Sequence, residues 1–250
     1  MTPFQSFDGT MIAVHTLGDA AARPVVLLHG LFSSAKMNWV KYGAAAEIAG
    51  AGFRLILPDF RAHGASDKPQ EAARYPDDVL AQDIEALIAH LGLNDYDLGG
   101  YSLGARTTVR LLARGHIPMP RKVVLGGMGL AGITGGTERA GFFLRVIEGA
   151  ETFPAGTAEF AAQAFMRQNN IDGPAVAHLL RSQVSTPLET VRTLQPQSLV
   201  IAGINDQDNG SAEELALALP HAAHVAVPGN HMSAVTKPDF GAAIAGWLAH

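Results

Sequence analysis

The chain contains no cysteine. Disulfides, thiolate metal centres and a cysteine nucleophile are therefore excluded, and this usage is compatible with a reducing compartment. Charge is sparse as well: charged residues make up 16 % of the chain and the formal net charge is −5, with no long run of either sign. Without a basic stripe, nucleic acid is not an expected partner. No apolar run approaches the roughly 18 residues needed to span a bilayer. The opening residues, Met1 to Gly9, lack the basic start and apolar stretch of a secretion signal, so a cytoplasmic location is expected. Internal repeats and low-complexity segments are missing. So is any His, Asp and Glu cluster with metal-ligand spacing; His221 and His224 flank a turn entering a strand and are expected at the surface. No loop is built to cradle phosphate. Neither a metal nor an organic cofactor is expected.

What is present is a globular chain of 250 residues, 48 % of them hydrophobic, enough for one α/β domain with a large core. Phe4–Phe7 and Met11–Leu17 alternate about Asp8-Gly9 and predict a hairpin. Val25–Leu28, Phe53–Leu57, Tyr96–Leu98, Lys122–Leu125, Ser198–Ala202 and Val225–Val227 read as strands. Several are continuous apolar runs, as strands covered on both faces are. Helical stretches alternate with them: one from about Ala44, then Asp77–Leu91 with Gly92 as its stop, Leu103–Ala113, a helix opened by Ser211 with Glu214 three residues on, and Asp239–Leu248. This alternation predicts a mostly parallel sheet with helices on both faces. It breaks between Met128 and Thr193, where only helical candidates occur (Glu138–Ile147, Ala158–Arg167, Ala175–Gln183), punctuated by proline and glycine. The expected organisation is a core of residues 1–127 and 194–250, with 128–193 inserted as a helical cap.

The chemistry centres on Gly100-Tyr101-Ser102-Leu103-Gly104, a Gly-x-Ser-x-Gly turn between a strand and a helix. Such a turn strains the serine, exposes its hydroxyl and sets the next amide at a helix N-terminus. A serine hydroxyl is a weak nucleophile until a base takes its proton and an acid orients that base. His231 stands just after the last strand, at the carboxyl end where reactive groups gather in a parallel sheet. The acid falls on Asp206, which leaves the preceding strand through Gly203-Ile204-Asn205; Asp208 is its rival, and either could simply cap the helix at Ser211. An oxyanion would be held by the Leu103 amide and by one from Leu28-His29-Gly30-Leu31-Phe32, with Leu31 preferred over Phe32. His29 is read as a brace for that loop.

Taken together, Leu28–Leu31, Pro58-Asp59-Phe60-Arg61-Ala62-His63-Gly64-Ala65-Ser66, Gly100–Gly104, Gly203–Asp206 and Gly229–His231 resemble the α/β-hydrolase superfamily and fall in its order. The resemblance implies an α/β-hydrolase fold, a nucleophile at Ser102, an acid at Asp206, a base at His231 and oxyanion amides at Leu31 and Leu103. It departs from many relatives at Ala62 and Ala105, where glycine is common, and in the acid loop Asn205-Asp206-Gln207-Asp208. Asp59–Ser66 is read as a rigid turn, not as a second reactive cluster. A serine at the elbow sets the chain apart from haloalkane dehalogenases and epoxide hydrolases, which attack with aspartate.

The expected function is hydrolysis of a carboxylic ester or related acyl compound through an acyl-enzyme. Carbon–carbon hydrolysis of dienoic ring-cleavage products, lactone or thioester cleavage, and non-catalytic binding of a small ligand are the alternatives. Phe142, Phe143, Leu144, Phe153, Phe160, Phe165 and Met166 suit either an apolar pocket or simple packing of cap on core. The substrate is expected to be a small and fairly apolar molecule, with medium acyl chains preferred over charged acids.

Overall fold

The computed structural model describes residues 1–135, 137–149 and 153–250. Strands β1 (Thr2–Gln5) and β2 (Met11–Leu17) form an antiparallel hairpin with Phe4 opposite Ile12. Gly9 turns it at φ +86°, where an L side chain would be strained. The first strand lies slightly earlier than its sequence pattern suggests, because Phe4 is buried there while Phe7 is exposed in the turn. Next come β3 (Arg23–Leu28), helix α1 (Ala44–Gly50), β4 (Phe53–Pro58), α2 (Val79–His90), β5 (Asp97–Tyr101), α3 (Leu103–Arg114) and β6 (Lys122–Gly126). Helices α4 (Leu130–Thr134), α5 (Thr137–Glu148), α6 (Ala158–Gln168), α7 (Gly173–Arg181) and α8 (Leu188–Val191) follow. The chain closes with β7 (Gln197–Gly203), α9 (Ala212–Ala218), β8 (Ala222–Val227) and α10 (Pro238–Ala249).

Among the described residues eight strands make one sheet, in the order β1-β2-β4-β3-β5-β6-β7-β8. The two pairings made by β2 are antiparallel and all the others are parallel. The apolar runs work on both sides. Val25 and Leu27 pack with Ile48 of α1 and Ile244 of α10, whereas Val26 and Leu28 pack with Ile84 and Leu87 of α2. Each such side chain contributes about 1.5–3 kcal/mol by leaving water. Truncating one, as in Ile56→Ala, costs about 2–5 kcal/mol.

Of the helices between β6 and β7, α6 starts at Ala158 as expected, while α5 and α7 start at Thr137 and Gly173, one and two residues earlier than expected. Thr157 Oγ1 accepts the Phe160 amide at 3.2 Å, and Asp172 Oδ1 accepts the Ala175 amide at 3.0 Å. Their apolar faces join the core: Val146, Met166 and Leu179 cluster with Val79 and Leu103, and Phe143 meets Phe32 edge-on at 5.1 Å. Helices α4 and α8 and a π-helical turn over Lys36–Val40 are too short to leave a periodic pattern. Among the described residues no helix is long and apolar enough to cross a membrane.

Candidate active site

β5 runs straight into Ser102, and α3 begins one residue later. Ser102 is held at φ +53°, ψ −112°, a strained conformation costing about 1–3 kcal/mol. Close packing imposes it. A Cβ on Gly100 would lie 2.3 Å from the carbonyl carbon of Gly104, and one on Gly104 would lie 2.2 Å from the Leu28 carbonyl oxygen. Backbone bonds pin the turn: the Ser102 amide donates to Gly126 O at 2.8 Å, and the Arg106 amide donates to Ser102 O at 3.0 Å. Ala105 is fully buried behind the elbow, so its methyl is accommodated.

His231 and Asp206 reach the serine from the loops after β8 and β7. His231 Nε2 lies 3.0 Å from Ser102 Oγ, and Nδ1 lies 2.9 Å from Asp206 Oδ2. A carboxylate can only accept, so Nδ1 carries the proton and the Nε2 lone pair faces the serine hydroxyl. All three residues are at least nine-tenths buried. Asp208 is elsewhere: its carboxylate pairs with Arg139 at 2.9 Å, and its amide donates to Asp206 Oδ1 at 3.1 Å. The structure thus joins Ser102, His231 and Asp206 and sets the rival carboxylate aside.

The loop after β3 is clamped on both sides of Leu31. Gly30 donates its amide to Asn38 Oδ1 at 3.0 Å, and Phe32 donates its own to His63 Nε2 at 3.1 Å. Phe32 sits at φ +57°. With the Phe32 amide committed to His63, Leu31 is the residue of this loop that lines the same recess as Ser102 and Leu103 with its amide uncommitted to either clamp. His29 braces the loop as expected, donating from Nδ1 to Gly30 O at 2.8 Å and accepting the Phe60 amide at 2.9 Å.

The Asp59–Ser66 turn is a support. Asp59 accepts amides from Ala35 and Ala65 at 2.7 and 2.9 Å, and Arg61 binds Asp83 and Asp8. Ala62 holds φ +66°, which explains why glycine suits relatives there. Burial, with help from neighbouring His29, pushes the His63 pKa down to about 3. His29 is also lowered, chiefly by burial. Burial alone would raise Asp59, but its amide bonds and the nearby histidines leave it below the usual carboxylate range.

Three residues that sequence reasoning left without a role also shape the site. Tyr101 donates its hydroxyl to the His231 carbonyl at 2.6 Å, linking the serine strand to the histidine loop. Asn38 positions Gly30, as above. Arg106, one turn along α3, reaches the carbonyls of Gly132, Gly135 and Val184. Only the Tyr101 position, inside the pentapeptide, carried any sequence signal. His224 lies exposed within β8 rather than in the turn before it. Among the described residues no three His, Asp or Glu side chains gather as a metal site requires.

A strained, buried serine facing a histidine whose far nitrogen meets a carboxylate, with helix-end amides beside it, is equipped for nucleophilic attack on a carbonyl. The model of the α/β-hydrolase fold family matches residues 23–170, and the chain belongs to that family. In sequence it is 37 % identical over 92 residues to the AB hydrolase superfamily protein YisY of Bacillus subtilis, covering 37 % of this chain and 32 % of the relative. It is 32 % identical over 139 residues to the mouse sn-1-specific diacylglycerol lipase ABHD11, covering 55 % and 43 %. The chain thus matches less than half the length of these relatives. In structure it resembles an esterase from Exiguobacterium antarcticum, with a TM-score of 0.80, 19 % identity and coverage of 100 % and 99 % of the two chains.

Proposed function

We propose that the protein is a serine hydrolase that cleaves carboxylic esters. The reading is carried by the hydrogen-bonded line from Ser102 Oγ through His231 to Asp206, spanned by contacts of 3.0 and 2.9 Å. Ser102 Oγ attacks the ester carbonyl carbon while His231 Nε2 takes its proton. The carbonyl oxygen becomes an oxyanion facing the Leu31 and Leu103 amides. Asp206 holds the imidazole in its Nδ1–H form and stabilises the cation. Collapse breaks the bond to the leaving oxygen, which takes the proton from His231 and departs as the alcohol. Water then attacks the acyl-enzyme, losing a proton to His231; the bond to Oγ breaks, Ser102 recovers its proton and the acid leaves. Nothing in this cycle calls for a metal or organic cofactor. The helices between β6 and β7 act as a cap, with Phe143 and Phe165 lining recesses beside Ser102.

Similarity to a lipase and to an esterase fold favours an ester among acyl substrates. The test is labelling with a fluorophosphonate followed by turnover of a panel of esters, thioesters, lactones and dienoic ketones. Labelling at Ser102 with ester turnover is the expected result. Absence of labelling, or turnover of a dienoic ketone without any ester, would overturn the reading.

A further inference from the structure

Two recesses meet at Ser102, sharing it and Leu31. One, of about 150 Å³, is lined by His231 with Phe32, Met37, Phe165 and Val235. The other, of about 170 Å³, runs beside α3 and is lined by Leu103, Arg106, Phe143 and Leu180, with Arg139 and Asp208. Chemistry decides which part of an ester occupies each. The departing oxygen must take its proton from His231, so the alcohol portion belongs in the recess that His231 lines. The acyl portion is left with the recess along α3.

Among the described residues the charges of that acyl recess do not balance. Its ionisable lining side chains are Arg106, Arg139 and Asp208. Arg139 and Asp208 pair with each other at 2.9 Å, which leaves Arg106. It repeats at four-residue spacing on α3 with Arg110 and Arg114. Arg110 binds Asp78 at 2.5 Å, and Arg114 binds Glu85 at 2.6 Å. Among the described residues Arg106 has no carboxylate partner. Its hydrogen bonds go to neutral acceptors: the carbonyls of Gly132, Gly135 (3.4 Å) and Val184 (3.2 Å), and the Ser185 hydroxyl (3.4 Å). Among the described residues its Nε has no hydrogen-bond partner, and Arg106 is only 8 % exposed. Asp78 acts on Arg106 only at a distance, being in contact with Arg110 and Arg114, and a buried guanidinium hydrogen-bonded only to neutral groups keeps a strong demand for an anion. Arg106 is also one helical turn from Ser102, so an anion reaching it would hang on a short chain from the scissile carbonyl.

Resting on the ester-hydrolase reading above, we infer that the natural substrate carries a carboxylate at the far end of a short acyl chain, recognised by Arg106, and an apolar alcohol. Of the phenylalanines anticipated as apolar lining, Phe165 then serves the alcohol, together with Phe32, while Phe143 lines the acyl recess.

The experiment compares two esters that share an alcohol and an acyl length: benzyl hydrogen glutarate and benzyl pentanoate. The wild-type chain should favour the glutarate by about tenfold or more in kcat/KM. Arg106→Gln keeps a donor for the loop carbonyls but no charge, and should cut the glutarate-to-pentanoate ratio about 10- to 100-fold. Arg106→Lys, which keeps the charge, should retain most of the preference. If Arg106→Gln does not fold, competition by free glutarate against fluorophosphonate labelling of the wild type replaces it. Glutarate should protect at far lower concentration than glutaramide, its uncharged diamide of the same length. Equal turnover of the two esters, an unchanged ratio in Arg106→Gln, or equal protection overturns the inference and leaves the ester-hydrolase reading standing. A wild-type chain that is neither labelled nor active on either ester removes that reading and this inference together.

Discussion

Ser102 keeps its strained angle because glycines on either side let two backbones meet, not because of its own hydroxyl. Ser102→Ala should therefore unfold at nearly the same urea concentration as the wild type. It should lose ester turnover by about 10³-fold or more in steady-state kinetics. Retained labelling of this variant by a serine-directed fluorophosphonate would place the nucleophile elsewhere. The two carboxylates of the acid loop differ by partner: Asp206 meets His231, and Asp208 meets Arg139. Asp206→Asn should lower kcat by about 10²- to 10⁴-fold by disturbing the imidazole tautomer. Asp208→Asn should cost much less, and equal losses in the two variants would contradict the assignment. At this scale the sequence reading depended on position. Ser102, Asp206 and His231 each follow the end of a strand in a fixed chain order, so they could be named. Asn38 and Arg106 could not, because the groups they hold, Gly30 and the Gly132 and Val184 carbonyls, become their neighbours only in the fold.

Elements that bury both faces were the most legible, since Val25–Leu28 and Phe53–Leu57 have few alternatives to a covered strand. Short elements were not, because the five residues of α4 and the four of α8 barely complete one turn. The helix pattern of α5, α6 and α7 showed in the sequence, but which recess each would line did not. The elbow itself gives a prediction. A methyl on Gly104 would meet the Leu28 carbonyl oxygen at 2.2 Å, and backbone in a central strand cannot step aside. Gly104→Ala should cost about 3 kcal/mol or more, read from the shift in urea midpoint. A midpoint equal to the wild type would show that the turn is looser than its packing implies. Helix α5 gives another. Phe143 meets Phe32 beside Leu31, so Phe143→Ala should alter the ratio of kcat/KM for hexanoate over acetate esters by about tenfold through the widened recess. An unmoved ratio would detach this helix from substrate choice.

For the whole molecule, two neutral histidines buried side by side make stability depend on acidity. His63 is held at about 3 against an ordinary value of 6.5. Above pH 6.5 both the folded and the unfolded chain leave it neutral. Between pH 6.5 and 3 the unfolded chain takes up a proton that the folded one refuses. Stability therefore falls with pH across that window, by up to about 1.4 kcal/mol per pH unit from this residue. His29, lowered by burial too, acts in the same direction. Urea titrations at pH 7.5, 6 and 5 should show the wild type losing more per pH unit than His63→Asn, and parallel losses would argue against a buried neutral imidazole.

The direct bond from Tyr101 to the His231 carbonyl has a consequence for the order in which the chain comes together. The two residues are 130 positions apart, and β5 and β8 are separated in the sheet by β6 and β7. A chain whose last strand is not in place holds a serine with nothing to take its proton, so it is chemically silent. During refolding, phosphonate labelling should appear no earlier than the slowest structural signal. The serine then serves as a built-in reporter of completed assembly.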